Sequence, residues 1–454
     1  MKKIKNIYFI GIGGIGMSGI AEIMKNLGYK VTGSDQQKNS NVLRLKKLGV
    51  KIFIGHNSSN VENASLVVFS SAISKNNPEI KRAIKLNIPV ISRSEMLKEL
   101  MRVKSTITVA GSHGKTTTVS LIAEILDKAK LDPTVINGGI INSYGSNTKL
   151  GKSDLMLVET DESDGSFSLL PSFGGVITSI DNEHIDFYGS KKKLIDSFHS
   201  YIKNISPFGF LAVSEKDRNI QAILKNYKSL NIYKYGFSNN SDIQAKIVKK
   251  NKDGIIFDVE IKSLNKKNSF IRNINFPLIG NHNVENALAA ISVCINFKIN
   301  KSIIKNSLET FHGVKRRLTK IYDKNEIIFF DDYAHHPTEI SSVLNGLKMT
   351  SNNRRIISVF QPHRYSRVKL LKKDFASCFK DSDLVVLCPV YSAGEKVDKK
   401  YNELNFAKQI SKSSKVQVVI IRDENDLRKF FVKNLFQNEI IICMGAGSIS
   451  KWIR

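Results

Sequence analysis

Lys115 and Thr116 close a glycine-punctuated run, Gly111-Ser112-His113-Gly114-Lys115-Thr116-Thr117, whose residue types and spacing suit phosphate chemistry. An apolar stretch of β character (Ile107, Val109, Ala110) leads into the run, and Val119 to Ala129 follows with the spacing of an amphipathic helix. Strand, glycine loop, Lys-Thr and helix together cradle a nucleotide's phosphates. Backbone N–H groups and the helix N-terminus face the anion, the lysine reaches the outer phosphates, and a hydroxyl holds Mg²⁺. The usual pattern has a glycine where this chain has Val109, so the loop is a shortened one that begins at Gly111. A plain turn with a surface lysine would also fit the letters. The flanking strand and helix favour an ATP site.

Two acidic strand tips belong to the same region. Asp154 to Val158 reads as a strand whose tip carries Glu159, Asp161, Glu162 and Asp164. Val176 to Ile180 reads as another, running into Asp181, Asn182, Glu183, His184, Ile185 and Asp186. Open parallel sheets bind ligands beyond the carboxyl ends of their strands, so both tips are expected near Lys115. Carboxylates facing phosphate repel it unless a cation lies between them, and Mg²⁺ is the hard ion that favours oxygen ligands. It takes only one or two carboxylates. Glu159 and His184 are therefore the expected supports of the metal, with Asp161 and Asp164 equally suited to turns or caps.

Other stretches offer recognition. Ile7 to Ile10 runs into Gly11-Ile12-Gly13-Gly14-Ile15-Gly16, and a second strand ends at Asp35. That fingerprint suits NAD, with Asp35 on a ribose, or any other diphosphate at a helix N-terminus. Leu66 to Phe69 ends in Ser70-Ser71. Asn283 and Asn286 begin a helix expected over Ala287 to Ile295, where they serve as caps or as amides reading an adenine edge. Further on come Lys315-Arg316-Arg317 and two strand tips: Asp331-Asp332-Tyr333-Ala334-His335-His336, then Gln361-Pro362-His363-Arg364-Tyr365-Ser366-Arg367. Pro337 is placed to open a helix. The histidine pair invites a zinc reading but lacks a carboxylate or cysteine partner at metal spacing.

These elements must be carried by about three domains at a length of 454 residues. A small α/β domain is expected over 1–103, a P-loop domain over 104–312 and a third α/β domain over 313–454. Between about 211 and 275 the pattern of short strands and turns suggests an antiparallel excursion. No segment approaches the ~18 uninterrupted apolar residues of a membrane span, and the N-terminal apolar run passes into a glycine motif without a cleavage site. A cytoplasmic protein with no membrane partner is expected. Cys294, Cys378, Cys388 and Cys443 lie apart in apolar runs and read as reduced core residues. The net charge of +28 would suit nucleic acid, but the lysines are scattered and no aromatic-basic stripe accompanies them. Nucleic acid is not the expected partner.

Taken together, the motifs GIGGIGMSGIA, GSHGKTTT, ETDESDGSF, NEHIDFYG, GNHNVENALAA, GVKRRL, DDYAHHPTEI, QPHRYSR and PVYSAGE resemble the ATP-dependent Mur ligases in content and order, over essentially the whole chain. The short phosphate loop is that family's form. The resemblance implies an α/β protein of three domains: Rossmann-like, then a P-loop ATPase-type mostly parallel sheet, then Rossmann-like again. It implies a ligase that uses ATP and Mg²⁺ to join L-alanine to the carboxylate of UDP-N-acetylmuramate through an acyl phosphate, as a monomer or homodimer. Gly11, Gly13, Gly14, Gly16, Met17, Asp35, Ser70 and Ser71 would then serve the UDP-sugar. Gly111, Ser112, His113, Gly114, Lys115, Thr116, Thr117, Asn283 and Asn286 would serve ATP, and Thr116, Glu159 and His184 the metal. Lys115, His184, Arg316, Arg317, Asp332 and His335 would be catalytic, with Tyr333, His336, Arg364 and Arg367 at the amino acid. Either His335 or Asp332 would accept the proton of the attacking amine.

Overall fold

A computed structural model of the chain describes residues 5–453 except 71, 103, 228, 252, 263–266 and 325. Three largely parallel sheets, each flanked by helices, form two compact units. The first unit comprises Met1–Ala245, Val259–Ile271 and Glu285–His312; the second comprises Lys246–Asp258, Arg272–Val284 and Gly313–Arg454.

The first unit opens with β1 (Asn6–Ile10), β2 (Lys30–Asp35), β3 (Lys51–Ile54), β4 (Leu66–Phe69) and β5 (Val90–Ser92). They pair in parallel in the order β3-β2-β1-β4-β5. All five residues of β1 are buried, as a central strand covered by helices on both faces requires. The order turns back between β1 and β4, which places the Gly11 turn at the crevice where such sheets take ligands.

The second sheet of this unit contains β6 (Ser105–Ala110), β7 (Thr134–Ile141), β8 (Ser146–Lys149), β9 (Leu155–Glu159), β10 (Ser172–Ile177), β11 (Ile205–Ser214) and β12 (Asn231–Gly236). Their order is β12-β11-β10-β6-β9-β7-β8, parallel throughout except for the β7–β8 hairpin. The antiparallel excursion expected from about 211 is corrected in its first part: β11 and β12 extend the parallel sheet, and β13 (Ile243–Asn251) also starts parallel to β12. The helix Arg218–Leu224 supplies the crossover that a parallel pair needs, and it was hidden by its shortness. Strands β13, β14 (Gly254–Ile261) and β15 (Ser269–Phe276) are each shared along the chain between the two units.

One hydrophobic cluster joins the two sheets of the first unit. It contains Ile7, Phe9 and Ile20 from the first α/β layer together with Ile136, Met156 and Val158 from the second. The helix Ile15–Asn26 lies so close to β8 that a β-carbon on Gly19 would collide with the Thr148 methyl. Met17 belongs to this core, 1% exposed.

In the second unit, β16 (Thr319–Lys324), β17 (Ile327–Asp332), β18 (Arg355–Phe360), β19 (Leu384–Leu387), β20 (Gln417–Ile420) and β21 (Glu439–Met444) take the order β16-β17-β21-β18-β19-β20. Only β16 runs antiparallel to its neighbour. Alternate residues of β18 feed two cores, Ile356 and Phe360 on one face and Ile357 and Val359 on the other. All four cysteines are buried and unbridged.

Candidate active site

The loop after β6 has the geometry that a phosphate cradle requires. Gly111 (φ +126°) and Gly114 (φ +81°) adopt backbone conformations open to glycine, and a β-carbon on either would collide, with Thr178 Oγ1 and Asn286 Oδ1 respectively. The helix Lys115–Lys128 starts at once, so its first N–H groups and its dipole point back into the loop. The neighbouring tip of β10 clamps the loop from the side. Ser112 N–H donates to Ser179 O (2.9 Å), Asp181 N–H to Ser112 Oγ (2.8 Å) and His113 N–H to Ser179 Oγ (3.1 Å). His113 Nε2 lies 3.1 Å from Asp181 Oδ2. Thr117 is buried in the first turn.

Lys115 Nζ donates to Gly111 O (2.5 Å) and to Glu162 Oε2 (2.7 Å). Burial works against its charge, but Glu162, Glu159 and Glu183 outweigh burial and hold the ammonium pKa above that of an ordinary lysine. Burial pushes the Glu162 carboxyl up to about 7, opposed by Lys115 and by the Gly111 N–H. Glu159 accepts from Thr116 Oγ1 at 2.9 Å and from Gly138 N–H at 2.6 Å. A hydroxyl and a carboxylate in contact at the head of a phosphate loop are the hard oxygen donors that Mg²⁺ requires, so these residues fit that ion. His184 takes a left-handed conformation (φ +56°) and caps the short helix Ile185–Tyr188. Asn286 lies against Gly114, with Thr118 Oγ1 3.3 Å from its Oδ1, whereas Asn283 donates to Ile279 O (2.7 Å). Both belong to the helix Asn281–Asn296, which starts earlier than its apolar run suggested.

At the first sheet, Gly11 (φ +77°) donates its N–H to Ser34 O and opens the turn. Asp35 ties that turn down: Oδ2 accepts from Gly13 N–H at 2.8 Å and Oδ1 from Gln37 N–H at 3.0 Å. Gly14 caps the helix Ile15–Asn26, which has no side-chain cap and no acid in its first turn. Gly16 is the second residue of that helix, and Ser70 N–H bonds Ile10 O at the tip of β4, next to Gly11. Ser71 lies outside the described residues.

The second unit gathers another polar group at the ends of β17 and β18. Tyr333 carries two cations on its ring, Arg316 Cζ at 4.9 Å and Arg317 Cζ at 5.3 Å from the centroid. Arg316 Nε is 3.6 Å from the fully buried Asp331, and Arg317 lies 3.9 Å from Glu339. Asp332 accepts from Leu318 N–H (2.6 Å) and Ala334 N–H (2.7 Å), one on each oxygen. His335 Nδ1 sits 3.0 Å from Tyr333 O, a spacing that needs a proton on Nδ1. His336 caps the helix Pro337–Thr350 in a capping box with Glu339, and Pro337 opens the helix as its position foretold. His363 packs edge-on to His335, stacks on Tyr391 and lies 3.1 Å from Arg367 Nη1. Arg364 has positive φ (+68°) and donates its N–H to Tyr391 O.

Three family models cover nearly all of this framework: "Mur ligase family, catalytic domain" over residues 6–105, "Mur ligase middle domain" over 109–294 and "Mur ligase, glutamate ligase domain" over 316–447. The chain belongs to the Mur ligase family. It is 47% identical to a UDP-N-acetylmuramate–L-alanine ligase of Pelagibacter ubique over 100% of this chain and 98% of that one. It is 42% identical to a protein of the same name from Paramagnetospirillum magneticum, over 99% and 94%. Among solved structures it resembles the UDP-N-acetylmuramate-alanine ligase MurC of Thermotoga maritima, with TM-score 0.82 and 27% identity over 99% of this chain and 97% of that one.

Within this Mur ligase framework, several residues without a role assigned from sequence hold the site in shape. Gly138 in β7 admits Glu159: a β-carbon there would stand 2.6 and 2.7 Å from its carboxylate oxygens. A Gly-Gly pair inside a strand was the available signal. Glu162 was one acid among four at its strand tip, and only its burial separates it from the others. Asp161 and Asp164 do serve as turn residues, accepting from Ser163 and Ser166 N–H. His363 and Asp331 lay inside the QPHRYSR and DDYAHHPTEI runs, where their residue types alone did not separate their roles from those of their neighbours.

Proposed function

We propose that this chain joins L-alanine to the lactyl carboxylate of UDP-N-acetylmuramate, converting ATP to ADP and phosphate and supplying a peptidoglycan precursor. The full-length identity of 47% to an alanine-adding ligase carries the reading, since sibling ligases share the fold and the phosphate loop. A cytoplasmic site of action follows from where its nucleotide substrates are made and used.

A carboxylate is a poor electrophile, so it must first take the γ-phosphoryl of ATP to become an acyl phosphate. Lys115 supplies fixed positive charge where charge develops on the transferring group. The loop N–H groups and the helix N-terminus hold the remaining phosphates, and Asn286, which lies against Gly114, borders the nucleotide in this reading. Thr116 and Glu159, with His184, would hold Mg²⁺, which neutralises phosphate charge when bound. The Gly11–Gly16 turn takes the diphosphate of the sugar nucleotide, in a domain we assign to 1–103; 104–312 serves ATP and 313–454 the amino acid. In that last domain the arginines 316, 317, 364 and 367 suit a carboxylate, and Tyr333 and the histidines suit an ammonium. Either His335 or Asp332, whose two oxygens accept from Leu318 and Ala334 N–H, takes the proton of the attacking amine.

Phosphate release from ATP with UDP-N-acetylmuramate, measured with L-alanine, glycine or L-serine or with none, tests the proposal. Release that depends on L-alanine is expected. Release unaffected by UDP-N-acetylmuramate, or selective for another amino acid, overturns it.

A further inference from the structure

Arg93 begins the helix Arg93–Arg102 at the carboxyl end of β5 and lies beside the start of the first helix. A β-carbon on Gly16 would come 3.0 Å from its Nη1 and 3.3 Å from its Cδ. The side chain is only 16% exposed. Its acidic partners come from the loop after β9, in the other α/β layer of the same unit: Nη2 is 3.5 Å from Asp161 Oδ2 and 3.7 Å from Asp164 Oδ2. Both separations exceed the roughly 2.7–2.9 Å of a well-made charge-assisted bond. Between those two acids in sequence, Glu162 turns the opposite way and engages Lys115 and Gly111 N–H. One short loop therefore touches the cation of each phosphate-binding turn.

We infer that Arg93 clamps the diphosphate of the sugar nucleotide at the Gly11–Gly16 turn, leaving Asp161 and Asp164 to do so, and that its departure slackens the loop whose Glu162 restrains Lys115. The inference rests on the reading of that turn as the UDP-sugar site. A diphosphate drawn to the uncapped N–H groups of the helix Ile15–Asn26 brings a multivalent anion beside a guanidinium that two long ion pairs hold weakly. Asp161 and Asp164 are then competitors of the ligand. Filling the first turn would also make Lys115 more available to ATP, and linkage requires the same factor in reverse.

Calorimetric titration of the full-length protein with UDP tests this in the wild type, Arg93→Ala, Arg93→Lys and the double variant Asp161→Asn/Asp164→Asn. Arg93→Ala is expected to weaken UDP about tenfold, with partial recovery in Arg93→Lys. The double variant is expected to tighten UDP several-fold, a change opposite in sign to that of any structural damage. In the wild type UDP should tighten ATP, and Arg93→Ala should bring that ratio towards one. Unchanged or weaker UDP binding in the double variant overturns the inference. It also carries the test if Arg93→Ala fails to fold, because it leaves Arg93 in place. A wild type that binds no UDP overturns the reading of the turn itself, a result distinct from UDP binding that ignores Asp161 and Asp164.

Discussion

Glu162 bridges Lys115 and the loop backbone: Oε2 accepts from Lys115 Nζ and Oε1 from Gly111 N–H, each at 2.7 Å. The phosphate-loop cation is thus matched by a carboxylate that is 5% exposed, so removing the lysine affects folding as well as chemistry. Lys115→Ala should lower turnover at least ~10²-fold, the scale of losing one charge-stabilising donor. It should also cost stability of about 3–5 kcal/mol, because a buried carboxylate loses its partner. Adding Glu162→Gln should recover melting temperature and leave turnover low. Recovery of both would mean that Lys115 acts only through folding.

Glu159 contacts Thr116 and the β7 backbone, which directs it to the head of the phosphate loop. Glu159→Ala should raise the Mg²⁺ concentration needed for half-maximal activity by roughly tenfold or more, at little cost in stability. Gly138→Ala should shift the same titration in the same direction by pushing the carboxylate aside. An unmoved Mg²⁺ titration in both variants would remove Glu159 from the metal's surroundings.

How far the letters led depended on whether local chemistry or long-range packing decided the outcome. The Gly11 and Gly111 turns, the acidic tip of β9 and the Pro337 helix start were legible because each needs a particular residue type at a fixed offset. The parallel continuation through β11 and β12 was not, because a seven-residue crossover helix leaves too little periodicity to separate it from a turn. Asp35 shows a subtler gap. An acid at the tip of the second strand suggested a ribose contact, and in the fold it is already bonded to Gly13 N–H. Met17 follows a glycine motif but faces a core shared by two sheets, which no single-strand pattern could indicate.

Asp332 links folding to pH. Burial raises its carboxyl to about 6 from an ordinary 3.8, against the opposing pull of Arg317 and two N–H donors. Below about pH 4 the group is protonated in both states; between there and about pH 6 the folded state binds the extra proton. Its contribution to stability is therefore lost as pH rises through that window. Asp332→Asn should flatten the slope of denaturation free energy between pH 4 and 6, while costing about 1–3 kcal/mol because the amide cannot accept from both Leu318 and Ala334. An unaltered slope in that variant would place the titration elsewhere.

His363 makes the opposite case. Burial, followed by the positive fields of His335, Arg367 and Arg364, lowers its pKa from an ordinary 6.5 to about 3. The unfolded chain takes up a proton near pH 6.5, and the folded chain refuses it until about pH 3. The stability this residue contributes is complete above pH 6.5 and declines as pH falls towards 3. Its imidazole should therefore show constant C–H chemical shifts from pH 8 down to 5. It should not set an acid limb near 6.5 in the pH profile of kcat/KM, and a limb there would then belong to another group. His363→Gln should retain the neutral stack on Tyr391 in part and flatten the acid side of the stability profile. A measured imidazole midpoint near 6.5 would show that the ring is hydrated and clear of the arginines, and would remove it from the packed face it shares with His335 and Tyr391.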